Sequence, residues 1–222
     1  MDGLRIMNAA FFDLDGTLAD TRADLAATVN HTRRDLGLAE LPVETVVANV
    51  GNGARVLLEK SIPEAAGRPF DELRCVFMSH YVEHCCDTVA LYPGVASTLA
   101  ELRSRGLLLG VATNKPRDAV IPILEKFGIR RHFGNAIVAG GDCAELKPSA
   151  MPLSECAARM GSHRLSSHDW LVGDNWTDMQ CASNAGVRGM FCTFGFGRLG
   201  DSRYSERIGS FGEILRHLKA ED

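Results

Sequence analysis

The chain has 222 residues with a net charge of −4, and 45% of its residues are hydrophobic, which suffices for one full-sized domain and a smaller inserted one. Acidic and basic residues are interspersed without a basic stripe, and no apolar run approaches the ~20 residues that cross a bilayer, so we expect no nucleic-acid and no membrane partner. The seven cysteines are odd in number and lie in apparently regular segments, which favours a reducing, cytoplasmic location over a disulfide framework.

The first part of the chain contains one predicted strand followed by a long helical stretch. An apolar run at 9–12 ends in Asp13 and predicts a buried strand whose last residue leaves the sheet. From about 21 to 86 the apolar residues recur at helical spacing. They predict three helices: one that ends at Gly37, one that follows the turn at 51–53, and one across 70–84.

Strands and helices alternate after residue 92. The predicted strands lie at 107–113, 136–139, 170–172 and 189–193. The predicted helices lie at 95–106, 120–127, 153–160, 179–185 and 211–218. Such alternation, with continuously apolar strands, predicts a doubly wound α/β fold in which helices cover both faces of a parallel sheet. The stretch 18–88 interrupts the alternation, so we predict an all-helical insert there and an α/β core domain made of 1–17 and 89–222.

Charged and polar side chains follow the predicted strands where each strand ends. They are Asp13, Asp15, Thr113, Asn114, Lys115, Asp174 and Asp178, with Lys147 in a loop after the 136–139 strand. Ligands of open parallel sheets bind at this edge. Two carboxylates about 4 Å apart repel by roughly 4 kcal/mol at an effective dielectric of 20, so the acids need a cation as well as Lys147. Oxygen ligands in an acidic pocket suit Mg²⁺, which we predict as the cofactor.

The same side chains suggest a reaction on a phosphate ester. A carboxylate such as Asp13 can attack phosphorus and form an acyl phosphate once the negative charges are neutralised. Thr113 and backbone N–H groups can bind the phosphate oxygens. Asp15 can protonate the leaving oxygen and then deprotonate the attacking water. A small-molecule phosphate ester is therefore the predicted partner.

Four short motifs resemble those of the haloacid dehalogenase superfamily. In order they are FFDLDGTL at 11–18, TNK at 113–115, KP at 147–148 and GDNWTD at 173–178. Further runs resemble phosphoglycolate phosphatases: VGNGA at 50–54, YPGV at 92–95, VATNKP at 111–116 and TFGFG at 193–197. The resemblance covers nearly the whole chain. It implies a Rossmann-like core with an inserted α-helical cap at 18–88.

The resemblance also implies roles for individual residues. Asp13 would be the nucleophile and a magnesium ligand, Asp15 the acid and base that binds the metal through its backbone carbonyl, and Asp174 a magnesium ligand. Thr113 and Lys147 would hold the phosphate, beside Asn114 as a further substrate contact. Asp178 would stand just outside the metal site, paired with Lys147 or with a metal-bound water.

Some residues keep two interpretations. In the insert, Asn52 and Arg55 are candidates for substrate binding, and Arg55 is either the ligand of a substrate carboxylate or a solvated arginine. Lys115 either contacts the substrate or covers a helix face. The middle proline usual after the lysine motif is missing at Ala150, and Trp176 occupies a position that is usually smaller or polar. Both departures bear on the substrate and leave the chemical groups in place.

The expected function is a magnesium-dependent phosphatase that uses an aspartyl-phosphate intermediate, with 2-phosphoglycolate as the best candidate substrate. A sugar-phosphate or amino-sugar-phosphate phosphatase and a phosphotransferase such as a mutase remain alternatives. Dehalogenation is disfavoured, because a halide leaves without a proton and the acid Asp15 would have no role. A non-catalytic binding protein is disfavoured by the intact set of acids and lysine. The sequence is compatible with a monomer or a homodimer.

Overall fold

The computed structural model describes residues 8–161 and 163–218. The two ends of the predicted core domain, 1–7 and 219–222, lie outside the described residues. The strands are β1 (Ala9–Phe12), β2 (Ala19–Asp20), β3 (Ala90–Leu91), β4 (Leu108–Pro116), β5 (Ile137–Gly140), β6 (Trp170–Gly173), β7 (Arg188–Cys192) and β8 (Glu206–Ile208). The helices are α1 (Arg22–Asp35), α2 (Val43–Val47), α3 (Gly53–Ser61), α4 (Phe70–His84), α5 (Val95–Ser104), α6 (Arg117–Lys126), α7 (Met151–Arg159), α8 (Trp176–Ala185) and α9 (Ile214–His217).

The main sheet has the strand order β5-β4-β1-β6-β7-β8, and every neighbouring pair in it is parallel. The central strand β1 lies between β4 and β6, with Ala10 opposite Leu109 on one side and Trp170 on the other. All four residues of β1 are buried because strands flank it and helices cover both faces. The predicted α/β fold with a parallel sheet is confirmed.

Alternate side chains of β1 enter two apolar clusters on opposite faces of the sheet. Phe12 packs with residues of α5 and α6 and with Phe211. Phe11 packs against Leu153 of α7 and Cys181 of α8. The two clusters hold the carboxyl ends of β4, β1 and β6 side by side at one edge of the sheet.

The insert has an apolar cluster of its own, formed by residues of α1 to α4 such as Val29, Leu58 and Phe77. The insert is not entirely helical, because β2 lies at its start and pairs antiparallel with β3. The carboxylate of Asp24 in α1 ties the two connections together by accepting hydrogen bonds from Thr88 N (2.9 Å) and Val89 N (3.0 Å). The exact division between core and insert stays a prediction.

Several predicted bounds are wrong. The strand predicted to stop at Thr113 continues to Pro116, so the TNK motif belongs to β4. The helix predicted at 211–218 is a 3₁₀ turn (Phe211–Glu213) followed by the four-residue α9, and Gly212 lowers helix propensity at this point. None of the described helices is long and apolar enough to span a bilayer.

Candidate active site

The polar side chains predicted at the strand ends meet at one edge of the sheet. Asp13 directly follows β1, and its N–H donates to Val172 O of β6 (3.0 Å). Asp174 directly follows β6, and Thr113 lies near the end of β4. Because these three strands are neighbours, one buried site contains all three side chains.

Three buried carboxylates form the centre of this site. Asp13, Asp174 and Asp178 each offer an oxygen within 4.8 Å of the other two. Burial, and then the charges of Asp178 and Asp13, raise the pKa of Asp174 well above its usual range. Burial raises the pKa of Asp178 to about 6, although Lys147 acts against that increase. The charged forms of these acids therefore need a positive partner.

Lys147 supplies one positive charge to the carboxylates. Its Nζ lies 2.6 Å from Asp178 Oδ1 and 2.9 Å from Asp13 Oδ1. Burial disfavours the charged ammonium, but the two carboxylates outweigh that cost and raise the pKa of Lys147. One ammonium thus faces three carboxylates, so the ionised site still carries excess negative charge.

The donor atoms fit a hard divalent cation. Asp13 Oδ1 is buried and accepts no hydrogen bond from the described residues, since the ammonium of Lys147 is close but poorly aligned. Asp174 Oδ2 is oriented by the N–H groups of Phe196 (2.9 Å) and Gly197 (2.7 Å). A Cβ at Gly16 would lie 1.9 Å from that oxygen, so only glycine lets the loop after β1 approach it. Oxygen-only ligands of this kind suit Mg²⁺.

Asp178 has both carboxylate oxygens engaged by the protein. Oδ1 accepts from Lys147, and Oδ2 accepts from Asn175 N (3.0 Å) in the capping box that begins α8. Asp13 and Asp174 are therefore better placed than Asp178 to bind a cation directly.

Asp15 is held by a network that crosses from the core to the insert. Its Oδ1 accepts hydrogen bonds from Thr21 Oγ1 and from Lys115 Nζ, both at 2.7 Å. The same ammonium donates to the hydroxyl of Tyr81 on α4. Sequence reasoning missed Thr21 and Tyr81. Tyr81 fits the apolar helical spacing of α4, so its pattern indicated an ordinary core residue.

Asn114 and Thr113 both line a cavity that lies beside these acids, between the core and the insert. The amide of Asn114 donates to Gly51 O (3.0 Å) and Lys147 O (2.9 Å), and its oxygen accepts from Lys147 N (2.8 Å). Asn114 therefore positions the lysine loop and the turn before α3, and both of its N–H donors are engaged. Thr113 is buried with its hydroxyl accepting a weak 3.3 Å bond from Lys115 N.

The structure does not bring the candidates from the insert, or Trp176, into the cavity. The guanidinium of Arg55 lies 3.8 Å from the ring centroid of Phe70 and 3.6 Å from Glu59, and its side chain is 61% exposed. Asn52 directly precedes α3 and is half-buried. Neither these two residues nor Trp176 is among the residues that line the cavity.

The cavity lies between the core and the insert. Its core side is polar and includes Asp13, Asp15, Thr113 and Lys115. Its insert side is mostly apolar and includes Leu25, Val50, Leu57, Phe77 and the ring of Tyr81. The arrangement can hold a small anionic ester with its charged end against the core.

Comparisons with known proteins agree on the family. A model of the haloacid dehalogenase-like hydrolases matches residues 10–192. The phosphoglycolate phosphatase of Chromobacterium violaceum is 34% identical over 221 residues, which cover 97% of this chain and 98% of that protein. The phosphoglycolate phosphatase of Agrobacterium fabrum is 37% identical over 194 residues, covering 84% and 81% of the two chains. A crystal structure described as a predicted phosphoglycolate phosphatase from Haemophilus somnus superposes with a TM-score of 0.85 at 31% identity, covering 96% of this chain and 99% of that one.

Proposed function

This chain belongs to the haloacid dehalogenase-like hydrolase family and is a phosphatase, and we propose that it hydrolyses 2-phosphoglycolate with Asp13 as a covalent nucleophile and Mg²⁺ as cofactor. The observation that carries the mechanism is the position of Asp13, which directly follows the central strand β1 and lies in the cluster formed with Asp174 and Lys147. The substrate is supported by relatives named phosphoglycolate phosphatase that span nearly the whole chain.

The proposed cation site consists of the carboxylates of Asp13 and Asp174 and the backbone carbonyl of Asp15. A divalent cation bound there would reduce the repulsion between the negative charges of the phosphate and of the attacking carboxylate. Lys147 stays beside the nucleophile and offers its ammonium to the phosphate oxygens, together with the hydroxyl of Thr113. These groups hold the phosphorus in line with the carboxylate of Asp13.

The reaction then proceeds in two steps on the side chains of this chain. Asp13 attacks phosphorus, the bond to the ester oxygen breaks, and Asp15 gives a proton to that leaving oxygen. Asp15 then takes a proton from water, which attacks the aspartyl phosphate and releases inorganic phosphate. Lys115 and Thr21 both bind Oδ1 of Asp15, so Oδ2 has no partner among the described residues and is the oxygen that exchanges the proton.

Phosphate release from a panel of monoesters tests this proposal. We expect 2-phosphoglycolate to be preferred over glucose 6-phosphate and muramic acid 6-phosphate, release to stop when EDTA removes the metal, and Mg²⁺ to restore it. Asp13→Asn should lower the rate by at least about 1,000-fold, because the amide is not a nucleophile. Asp87→Asn is the matched control, since Asp87 is exposed and pairs with His84 away from the cavity.

Other outcomes would change the assignment in defined ways. Release that persists in Asp13→Asn would remove Asp13 as the nucleophile. Activity that needs no metal would remove the cofactor. Phosphate transfer to an added sugar phosphate, with little release to water, would favour the phosphotransferase alternative. A strong preference for a sugar phosphate would keep the mechanism and reject 2-phosphoglycolate.

A further inference from the structure

A buried ammonium group lines the cavity and is not among the groups proposed to bind the phosphate or the metal. Lys115, at the end of β4, is only 4% exposed and faces the same cavity as Asp13 and Asp15. Its Nζ lies 2.7 Å from Asp15 Oδ1 and 4.8 Å from the ring centroid of Tyr81. A buried positive charge of this kind favours a negative partner within hydrogen-bond distance.

The ammonium of Lys115 has one hydrogen-bond donor left. A lysine side chain carries three N–H donors. Among the described residues two acceptors take them, the carboxylate of Asp15 and the hydroxyl of Tyr81. These two contacts fix the position of the ammonium from the core and from the insert, and the third N–H is available to a molecule in the cavity.

We propose that Lys115, oriented by Tyr81, binds a carboxylate on the leaving alcohol and thereby selects phosphate esters of small hydroxy acids. This inference rests on the proposed phosphatase function and names the group that chooses the substrate. Lys115 touches the substrate in this assignment and is a specificity-determining residue, whereas Tyr81 is a positioning residue.

The distance between Lys115 and Asp15 limits where the carboxylate stands in the substrate. The ester oxygen must lie within hydrogen-bond distance of Asp15 to receive its proton. The ammonium is itself 2.7 Å from Asp15, so the longest path from the ester oxygen to a carboxylate bound to Lys115 is three hydrogen bonds and the width of one carboxylate, roughly 10 Å. A carboxylate attached directly to the ester carbon, as in 2-phosphoglycolate, satisfies that limit.

The remaining walls of the cavity favour a short hydroxy acid over a sugar. The insert contributes Leu25, Leu57 and Phe77, which offer no hydrogen bonds to sugar hydroxyls. Burying several hydroxyl groups against such a wall costs free energy that a small acid avoids. Arg55, the other cation considered for a substrate carboxylate, stacks on Phe70 outside this cavity.

The test compares three substrates in matched variants: 2-phosphoglycolate, 3-phosphooxypropionate and the uncharged-tail analogue ethyl phosphate. In the unaltered enzyme kcat/KM should be higher for both acids than for ethyl phosphate. In Lys115→Met the ratio of kcat/KM for 2-phosphoglycolate to that for ethyl phosphate should fall by about 10- to 100-fold, the scale of one hydrogen bond to a charged group. Any effect of Lys115 through Asp15 lowers both rates together and leaves this ratio unchanged.

Two further variants separate the residues. Tyr81→Phe keeps the ring and removes the hydroxyl, so the ratio should fall in the same direction by a smaller factor. Arg55→Met removes a cation from the insert and should leave the ratio unchanged. Circular dichroism and thermal melting establish that each variant is folded, and the competitive inhibition constant of glycolate should rise in Lys115→Met, which gives a second readout independent of turnover.

The outcomes distinguish this inference from the proposed function. Metal-dependent, Asp13-dependent hydrolysis with an unchanged ratio in folded Lys115→Met would overturn the inference and leave the function standing. A ratio that collapses in Arg55→Met instead would transfer the role to the insert. Equal kcat/KM values for 2-phosphoglycolate and ethyl phosphate in the unaltered enzyme would contradict a contact between Lys115 and a substrate carboxylate. Absence of phosphate release from every ester in the unaltered enzyme would reject the proposed function itself.

Discussion

At the scale of single residues, the loop at 194–197 orients one of the proposed metal ligands. Asp174 Oδ2 accepts hydrogen bonds from Phe196 N and Gly197 N, which hold the carboxylate in one orientation. The backbone of Gly195 passes close to both Asp174 and the loop after β1. Groups that orient a ligand in this way commonly change metal affinity when they are disturbed.

Gly195→Ala is therefore expected to weaken metal activation. The new Cβ would lie 2.3 Å from Asp174 Oδ2 and 2.4 Å from Gly16 O, and neither atom belongs to a flexible side-chain end that can move away cheaply. The Mg²⁺ concentration for half-maximal activity should rise by about 10-fold or more. Gly209→Ala is the control, because its nearest contact would be 3.6 Å. Metal titrations that coincide for both variants would contradict this account of the loop.

The position of a site residue could be predicted from the sequence where the residue follows the end of a strand. It could not be predicted where tertiary packing places the residue in the site. Asp13 and Asp174 each follow an apolar run, so topology alone places them together. The contact between Tyr81 and Lys115 joins residues from the insert and the core, and nothing local to either residue indicates it. Arg55 shows the converse, since its sequence position beside a glycine turn allowed either a substrate contact or a solvated arginine, and its guanidinium packs on Phe70.

At the scale of elements, a single arginine joins the helices of the insert. Arg33 of α1 is 4% exposed. Its Nε donates to Ala39 O (2.6 Å) in the connection to α2, and its Nη1 donates to Ser61 O (2.7 Å) at the end of α3. It also pairs with Glu64 at 2.9 Å, on the surface. The planar guanidinium binds one carbonyl in the connection after α1 and another at the end of α3, in a fork geometry that a lysine lacks.

Removing this side chain should destabilise the insert. Arg33→Met leaves two carbonyls without their buried donor, and the free energy of unfolding should decrease by about 2–4 kcal/mol. Arg33→Lys should recover only part of that loss. Glu64→Gln should change stability little, since the carboxylate is solvated. Urea unfolding followed by circular dichroism measures the stability of all three variants. Equal stability of Arg33→Met and the unaltered chain would contradict the role of Arg33 in joining the helices of the insert.

The elements that the sequence did not predict are short and have polar or mixed patterns. β8 consists of Glu206, Arg207 and Ile208 at the edge of the sheet, where only β7 pairs with it. A three-residue edge strand has no apolar run to mark it. The five-residue α2 has only Val46 buried, so its pattern has no helical stripe. β1, β4 and β6 were predictable because both faces of each strand are covered and the apolar run is continuous.

At the scale of the whole molecule, the insert rests on the core at the turn before α3. Asn114 donates to Gly51 O at 3.0 Å, and Gly51 has a φ of 109°. A Cβ there would lie 2.5 Å from Asn175 Nδ2 of the core. This contact and the one between Tyr81 and Lys115 bring the insert against the core and enclose the cavity between them. The insert therefore approaches the core at this turn to a distance that only glycine permits.

Gly51→Ala should consequently impair substrate binding beyond its effect on folding. The substitution strains the backbone, because a side chain at positive φ costs about 1–2 kcal/mol, and it also pushes the turn away from Asn175.

Gly67→Ala isolates the backbone strain, since Gly67 has a φ of 96° in the same insert and a Cβ there would meet nothing within 4 Å. Gly51→Ala should lose at least as much stability as Gly67→Ala in thermal melts, because it adds the contact with Asn175 to the backbone strain. Only Gly51→Ala should raise KM for 2-phosphoglycolate, by about 10-fold, because the closed cavity binds the substrate and its closing now requires a shift of Asn175. If KM rises equally in both variants, strain within the insert explains the effect, and the contact between Gly51 and Asn175 is not what closes the cavity.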